Sequence, residues 1–407
     1  MNDHARYIDV HVLQTVPPSN INRDDSGTPK TATYGGVRRS RVSSQAWKRA
    51  TRMLFAEGQP TETGAVRTKR IARLLTESIT RRCMDLDEVT AARIATVALE
   101  PLGVTPSQKK TEETSYLLFF GRDQLDNLAD AVAEHAETLT QAAAALDAAD
   151  TALQSATKGD KASAKEEQKA AQDVLDEAVA ALQVLDHFAA GHPIDVALFG
   201  RFVADTQQLN VDASCQVAHA ISTHRTDVEF DYFTAVDDEN VDDSGAGMIG
   251  TVEFNSATLY RYATVDLDQL THNFGGELTA AHDAVIRFLD AFVRSIPSGH
   301  QNTFAHRTLP HAVVVDVRAD QPTNLVSAFE KPVRAFEGGH ARASLTALAA
   351  AHTQVTDQWG APPITTAATY DTALADDAVT DALPTNLAFP ALLDHIRAAL
   401  TSSQGRA

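Results

Sequence analysis

The chain has 407 residues, 43% of them apolar and 22% charged, and its 35 Lys and Arg against 54 Asp and Glu give a formal charge of -19. This composition excludes fibrous and wholly disordered proteins and leaves enough apolar residues for a sizeable core in two or three domains. Because Cys83 and Cys215 are far apart in the sequence, neither a disulfide framework nor a structural zinc site is expected, and we predict no cofactor and no metal. The N-terminus lacks a secretory layout and no apolar run could span a bilayer, so we expect a cytoplasmic protein with no membrane partner.

The charge is unevenly distributed along the chain. Between Arg23 and Arg82 there are 14 Lys or Arg against 5 Asp or Glu, which gives +9 in sixty residues and leaves -28 for the rest. Such segregation can form a local phosphate-binding surface on a protein whose other faces repel phosphate. A solvated helix face is an equally good explanation from charge alone.

The first elements read as a strand, a loop and a helix. Residues 7–16 alternate apolar and polar side chains, as a half-buried strand does. The loop 17–41 is basic and rich in turn residues, so we predict no regular structure there. Ser43 and Ser44 then offer hydroxyls for an N-cap, and a helical stripe follows with Trp47, Ala50 and Leu54.

Residues 57–192 have a helical composition. Leucines and alanines at steps of three and four over 125–153 and again over 171–189 predict an antiparallel helical hairpin. No residue pattern in this insertion indicates a catalytic or ligand-binding site.

The second half contains further strands and helices. We predict strands at 194–202, 259–265 and 311–317, a short element at 217–224, a helix at 278–296 and a projecting hairpin at 230–236 and 249–254 with an acidic tip. C-terminal helices are expected near 325–336, 342–358 and 388–401. Two strand-helix-strand halves, the first with a helical insertion and the second with a hairpin, predict an α+β fold with an interrupted ferredoxin-like or RRM-like core.

The basic loop and the helix that follows it are the candidate site. The loop offers five cations: Arg23, Lys30, Arg38, Arg39 and Arg41. A helix N-terminus presents unpaired amides and partial positive charge, and Lys48 and Arg52 stand four residues apart on one face of that helix. Such a site would bind phosphates without reading bases.

Several motifs in order resemble one known family. They are NRDD(x4)K(x4)GGVRRSRVSSQAWKRATR, IDVALFGRF, AHAISTH(x7)YFTAVDD, GTVEF(x5)YRYA and the AFEK near residue 330. Together they resemble the CasC-type backbone subunit of the type I-E CRISPR Cascade complex, an antiviral ribonucleoprotein. The matches extend from residue 7 to about residue 335.

The resemblance implies a hand-shaped protein with an RRM-like palm, helical fingers and a thumb. It assigns residues 1–56, 193–225 and 257–407 to the palm, 57–192 to the fingers and 226–256 to the thumb. The implied function is not enzymatic: copies of the subunit form a helical filament along a CRISPR guide RNA, hold its sugar-phosphate backbone and present its bases to target DNA. The implied partners are the guide, target DNA through the guide, neighbouring copies and the other Cascade subunits.

The family's RNA-contacting positions carry over to named residues. Those of the loop and first helix are Arg23, Lys30, Ser43, Gln45, Lys48, Arg49 and Arg52. Phe202 stands where relatives place a bulky apolar side chain against guide bases, often methionine, and Tyr232, Phe233 and Thr234 correspond to the thumb. In the segment 297–304, where relatives tend to have a basic residue, this chain has His300, and we expect a structural role there rather than guide contact.

Two other functions remain open. A metal-dependent RNA endonuclease could use His219, His224, Asp227, Glu229 and Asp231, since alternate residues of a strand share a face and some type III relatives cut RNA with a thumb aspartate. A solvated acidic strand explains the same carboxylates better. A lone single-strand-binding protein would need exposed aromatic residues along the basic track, which between residues 23 and 52 has only Tyr34 and Trp47. We expect Asp24 and Asp25 to cap the loop or to pair between subunits rather than to act as catalytic acids.

Overall fold

The computed structural model describes residues 4–57, 64–103, 114, 117–157, 159–203, 206–236, 246–335, 339–360 and 362–402. Helices and an antiparallel sheet are both present, so the α+β prediction is confirmed. Contacts divide the chain into two compact units. One, here called the sheet unit, comprises 1–58, 215–270 and 278–407, and the other, the helical unit, comprises 59–214 and 271–277. Residues 193–214, which the resemblance assigned to the palm, therefore lie in the helical unit.

The strands and helices of the described residues are as follows. The strands are β1 (Tyr7–Ser19), β2 (Thr31–Tyr34), β3 (Val37–Val42), β4 (Ala65–Thr68), β5 (Leu118–Gly121), β6 (Cys215–Val217), β7 (Ala220–Ser222), β8 (Glu229–Val236), β9 (Ala246–Asp266), β10 (Ala312–Arg318) and β11 (Thr365–Tyr370). The helices are α1 (Ser44–Ala56), α2 (Ile71–Arg82), α3 (Glu88–Ala98), α4 (Arg122–Glu134), α5 (Ala136–Ser155), α6 (Lys161–Ala180), α7 (Val184–Ala189), α8 (Ile194–Phe199), α9 (Leu267–Asn273), α10 (Leu278–Arg294), α11 (Gln301–Phe304), α12 (Gly339–Trp359), α13 (Asp377–Ala382) and α14 (Phe389–Ser402).

The sheet unit is built on one large sheet with the strand order β11-β10-β1-β9-β7-β3-β2, and β6 and β8 also pair with β9. The central strand β1 pairs antiparallel with both β9 and β10. We expected β1 to be half-buried, and this was wrong, because Asp9 and His11 are as buried as their apolar neighbours. Side chains of α1 and α10 contact one face of the sheet, and α12 packs on the other.

The segment 17–41 is more regular than its turn-rich composition suggested. It contains the antiparallel hairpin β2–β3, in which Tyr34 pairs with Val37 across Gly35 and Gly36. Both glycines have positive φ, 58° and 77°, which is the backbone that a two-residue hairpin turn requires. A Cβ on Gly35 would also meet the Glu330 carbonyl, so a larger residue does not fit there.

The predicted strand at 194–202 is wrong, because residues Ile194–Phe199 form helix α8. Pro193 precedes its first turn, and Gly200, with φ of 75°, ends it. A short apolar run can be a strand or a buried helix turn, and here the flanking Pro and Gly decide for the helix.

Most other predicted elements of the sheet unit are present. Helices α10, α12 and α14, strand β10 and the hairpin β8–β9 match their predicted segments. The predicted helix at 325–336 is wrong, since only a 3-10 turn at Leu325–Phe329 forms before Pro332. Strand β11 and helix α13 were not predicted. The acidic hairpin tip, 237–245, lies outside the described residues.

The helical unit contains the predicted antiparallel hairpin, formed by α5 and α6. Helix α4, predicted to continue into α5, ends at Glu134, and its C-cap residue His135 has φ of -109° and ψ of 12°. Strands β4 and β5 form a separate two-stranded sheet. In the part of the chain described here, no helix combines the length and apolarity needed to cross a bilayer.

Candidate nucleic-acid interface

Helix α1 is anchored by one face and capped at its start. Trp47, Thr51 and Phe55 are buried, and the Thr51 hydroxyl lies 3.2 Å from the Ser295 hydroxyl at the end of α10. Ser43 is the N-cap, as predicted, and its Oγ accepts from the Ala46 amide at 3.3 Å. Thus Ser43, also predicted to contact RNA, serves the helix itself. Its guide contact stays a prediction.

The cationic face of α1 lies beside this buried face. It consists of Gln45, Lys48, Arg49 and Arg52, which at 100° per residue cover about a quarter of the helix circumference. Gln45 and Arg49 are exposed, and Lys48 and Arg52 are half-buried. The charge of Lys48 lowers the pKa of the Cys215 thiol, but burial has the larger effect and raises this pKa to about 12. The thiol therefore stays protonated at neutral pH.

The basic loop before the β2–β3 hairpin is fastened to the start of α1. The Asn22 side chain accepts from the Ser43 amide at 2.9 Å, and the Asn22 carbonyl accepts from the Lys30 amide at 2.8 Å. Asp24 caps the loop as expected, since its Oδ1 accepts from the amides of Ser26 and Thr28. These hydrogen bonds tie the loop that carries Arg23 and Lys30 to the N-terminus of α1, the helix of the cationic face.

Two arginines of this region donate to histidines. The Arg23 Nη1 donates to Nε2 of His300 at 2.5 Å, and the Arg41 Nη1 donates to Nδ1 of His219 at 3.0 Å. Arg41 also donates from Nε to the Thr31 carbonyl. We had considered His219 only as a metal ligand, and nothing in the sequence places it beside Arg41. The pairing of β3 with β7, Arg41 opposite Ile221, brings them together.

Arg39, counted among the loop cations, does not belong to the surface. It is completely buried and donates to the carbonyls of Tyr34, Ser222, Phe329 and Glu330. Alternation along β3 turns Arg38 outward and Arg39 inward. Its guanidinium therefore joins the hairpin to the rest of the sheet unit and is not available to a phosphate.

Phe202 projects from the helical unit and is 83% exposed. The residue before it is fixed: Arg201 is buried and donates to the carbonyls of Leu209 at 2.6 Å and Phe188 at 2.8 Å. An exposed aromatic ring on an anchored backbone is suited to contact with a partner, because only its side chain must be ordered.

The hairpin β8–β9 carries the three predicted thumb residues. Tyr232 and Thr234 lie on one face with Phe230, and Phe233 lies on the other. Phe233 stands opposite Gly250, where a Cβ would come within 2.3 Å of the ring. Tyr232 is 63% exposed and Phe230 is 67% exposed, so the hairpin presents aromatic surface to solvent.

Three of the five residues proposed for a metal site are engaged in other contacts. His224 donates from Nδ1 to the Arg225 carbonyl and accepts at Nε2 from the Thr258 amide, so both ring nitrogens are used. His219 accepts from Arg41, and Asp227 pairs with Arg225 at 3.1 Å. Glu229 and Asp231 are exposed on β8. Within the described ranges, no three His, Cys, Asp or Glu side chains are grouped as metal ligands.

Comparison with known proteins identifies the family of this chain. A family model described as CT1975-like protein matches residues 8–394. The chain belongs to the CT1975-like family. One similar solved structure is a chain of a "CRISPR RNA-guided surveillance complex, pre-nicking", with 30% identity and a TM-score of 0.73, covering 97% of this chain and all of that one. Another, from a "CRISPR RNA-guided surveillance complex", has 26% identity and a TM-score of 0.66, covering 97% and 99%. No curated protein sequence gives a significant match.

The resemblance stated from the motifs is thus confirmed at the level of a CRISPR surveillance-complex subunit. The likeness extends over nearly the whole of this CT1975-like chain. It therefore includes both the sheet unit, with the cationic face and hairpin, and the helical unit, with Phe202.

Proposed function

We propose that this protein is the guide-binding backbone subunit of a type I-E Cascade complex. In this proposal, copies of the chain polymerise along a CRISPR RNA, hold its sugar-phosphate backbone and leave its bases to pair with target DNA. Base pairing then supplies the sequence specificity, and the protein supplies register and an ordered single strand.

The cationic face of α1 is the observation that carries this proposal. Lys48, Arg49 and Arg52 lie on a helix whose adjacent face is buried, in a chain of net charge -19. A fixed row of cations on an otherwise acidic protein favours binding of a phosphate backbone at that one surface. The likeness to surveillance-complex chains supports guide RNA as the ligand.

We assign the sheet unit to an RRM-like palm, the helical insertion to fingers and β8–β9 to a thumb. The strand order β10-β1-β9-β7, with α1 connecting β1 towards β7 and α10 connecting β9 to β10, supports a ferredoxin-like core. The projecting aromatic hairpin supports a thumb that reaches the guide or a neighbouring copy.

We also propose that the subunit is not an enzyme. The nitrogens of His224 are engaged with backbone groups, and His219 serves Arg41, so neither histidine supports the alternative of a metal-dependent ribonuclease. Labelled RNA incubated with the protein and Mg2+ is expected to stay intact. Cleavage that disappears in Asp231→Ala would establish the nuclease instead.

Guide binding is tested with two RNAs of unrelated sequence over a range of salt concentrations. We expect Lys48→Ala and Arg52→Ala to weaken binding of both RNAs similarly and to flatten the dependence of log K on log salt by about 0.7 per charge removed. Arg73→Ala, at an exposed position of α2 where the arginine pairs with Glu77, is the matched control. An effect on one sequence alone would mean base readout and contradict the proposal.

A further inference from the structure

The two histidine contacts of the interface differ from the usual way of holding an arginine. A guanidinium has only donors, so the ring nitrogen that receives each bond must be an acceptor. Nδ1 of His219 and Nε2 of His300 therefore carry lone pairs toward Arg41 and Arg23. Each ring is neutral in this arrangement, with its proton on the other nitrogen.

Several arginines elsewhere in the described chain are held by carboxylates. Arg82 bonds to Asp126 and Asp130, Arg225 to Asp227, Arg294 to Asp290 and Arg397 to Asp283. A carboxylate orients a guanidinium but also cancels its charge. Within the described ranges, no acidic side chain comes within ion-pair distance of Arg23, Lys30 or Arg41, although the whole protein has an excess of acid.

The surroundings favour the neutral form of His219 and hold the ring of His300 in place. Burial, followed by the nearby charges of Arg41 and Lys30, lowers the pKa of His219 below its ordinary value. His300 begins α11 with a left-handed backbone, φ 50°, and its ring stands edge-on to Phe304 at 6.2 Å between centroids. His300 is one of the residue types that tolerate this conformation.

We propose that His219 and His300 are positioning residues, which fix Arg41 and Arg23 as neutral acceptors and leave both guanidinium charges whole for guide phosphates. This inference rests on the proposed guide-binding function. An oriented arginine loses less conformational entropy when a phosphate binds, and an unneutralised one keeps its full attraction to the phosphate. A carboxylate in place of the histidine would orient the arginine but cancel its charge. An alanine would leave the arginine charged but would not orient it.

Three substitutions at each histidine separate these contributions. Glutamine can still accept from the arginine without adding charge, so His219→Gln and His300→Gln should bind guide within about twofold of wild type. Alanine leaves the arginine charged but unoriented, so binding should weaken by roughly threefold to tenfold with the salt slope unchanged. Aspartate neutralises its arginine, so the salt slope should flatten by about 0.7.

A double-mutant cycle tests whether each histidine acts through its arginine. Once Arg41→Ala is present, His219→Ala should weaken binding no further, and the same should hold for Arg23 and His300. His395→Ala, an exposed histidine that bonds to the Thr365 hydroxyl, is the control and should bind as wild type does. Thermal unfolding of each variant accompanies the binding data.

The proposal is overturned if the alanine variants bind guide as wild type does, or if the glutamine variants bind it as weakly as the alanine variants. It is also overturned if His219→Ala still weakens binding in the Arg41→Ala protein. If Lys48→Ala and Arg52→Ala bind guide normally, the proposed function itself fails. If they weaken binding while the histidine series has no effect, only the positioning role fails.

Discussion

The guanidinium carbon of Arg261 lies 3.8 Å from the ring centroid of Trp47, and both side chains are fully buried. Arg261 belongs to β9 and Trp47 to α1, so this contact joins the helix of the cationic face to the central sheet. Arg261 also donates to the Gln14 side chain at 2.6 Å and to the Phe292 carbonyl on α10. Burial lowers the pKa of Arg261 to about 9, which still leaves it charged at neutral pH.

Replacing Arg261 by alanine should destabilise the sheet unit strongly. The change removes the ring contact and leaves the buried Oε1 of Gln14 without a donor, which costs on the order of 3 kcal/mol of unfolding free energy. Urea unfolding measures the loss. Arg287→Ala, on the exposed side of the same α10, should change stability by no more than about 0.5 kcal/mol. Equal stability of the two variants would show that Arg261 does not anchor α1.

Gly250→Val should displace the Phe233 ring, because even a Cβ at Gly250 would lie 2.3 Å from it. The hairpin is exposed, so we expect the unfolding temperature to change little while guide affinity falls, provided that Phe233 contacts the guide. Thr251→Ala, the next residue of β9, points to the other face and is the control. Unchanged guide affinity in Gly250→Val would remove Phe233 from the interface.

Phe202→Ala should leave stability within about 0.5 kcal/mol of wild type, since the ring is 83% exposed. Stacking of one base on an aromatic ring contributes about 1–3 kcal/mol, so guide binding should weaken measurably. Guides with 2-aminopurine at successive positions would show fluorescence rising at the stacked base. Phe202→Met retains a wedge without a stacking ring, and full recovery in this variant would mean that Phe202 separates bases rather than stacking on one.

Because the ring of His224 is buried, we predict that the folded protein loses stability at acidic pH. Burial is the main cause that lowers the pKa of His224 to about 4, and the ring stacks on His340 at 3.7 Å while accepting from the Thr258 amide. The folded state thus prefers the neutral ring. The neutral ring contributes fully to stability above about pH 6.5, which is the pKa of histidine in the unfolded chain. This contribution is lost as the pH falls from there to about 4.

The urea midpoint measured between pH 7 and pH 4 tests this dependence. It should fall less steeply in His224→Gln than in wild type, because glutamine does not titrate. His192, whose pKa is also lowered to about 4, is unchanged in both proteins and contributes equally. Parallel curves for the two proteins would contradict the assignment.

Long periodic segments made much of the sheet unit predictable. Helix α10 was found from its apolar stripe, β10 from its valine run and the Ser43 cap from its hydroxyl before a helical pattern. The hairpin β2–β3 was missed because its turn residues were read as signs of a loop, although Gly35-Gly36 between two strand-like runs is a hairpin signal.

The partners of the interface cations could not be predicted from sequence. His219 lies 178 residues from Arg41, and His300 lies 277 residues from Arg23. Only the pairing of distant strands and the path of the loop before α11 bring them together. For the same reason Arg39 looked like its neighbours in the sequence, although it is buried and donates to carbonyls from two other segments, at Ser222 and at Phe329 and Glu330.

The central claim is that the protein holds the backbone of the guide and leaves its bases uncovered. Chemical probing of bound guide tests it directly: methylphosphonate substitution neutralises single phosphates, and dimethyl sulfate reports whether the pairing edges of adenine and cytosine are accessible. We predict that neutral phosphates weaken binding at sites along the guide while most of its pairing edges stay reactive in the complex. Protected pairing edges together with indifference to phosphate neutralisation would contradict the account.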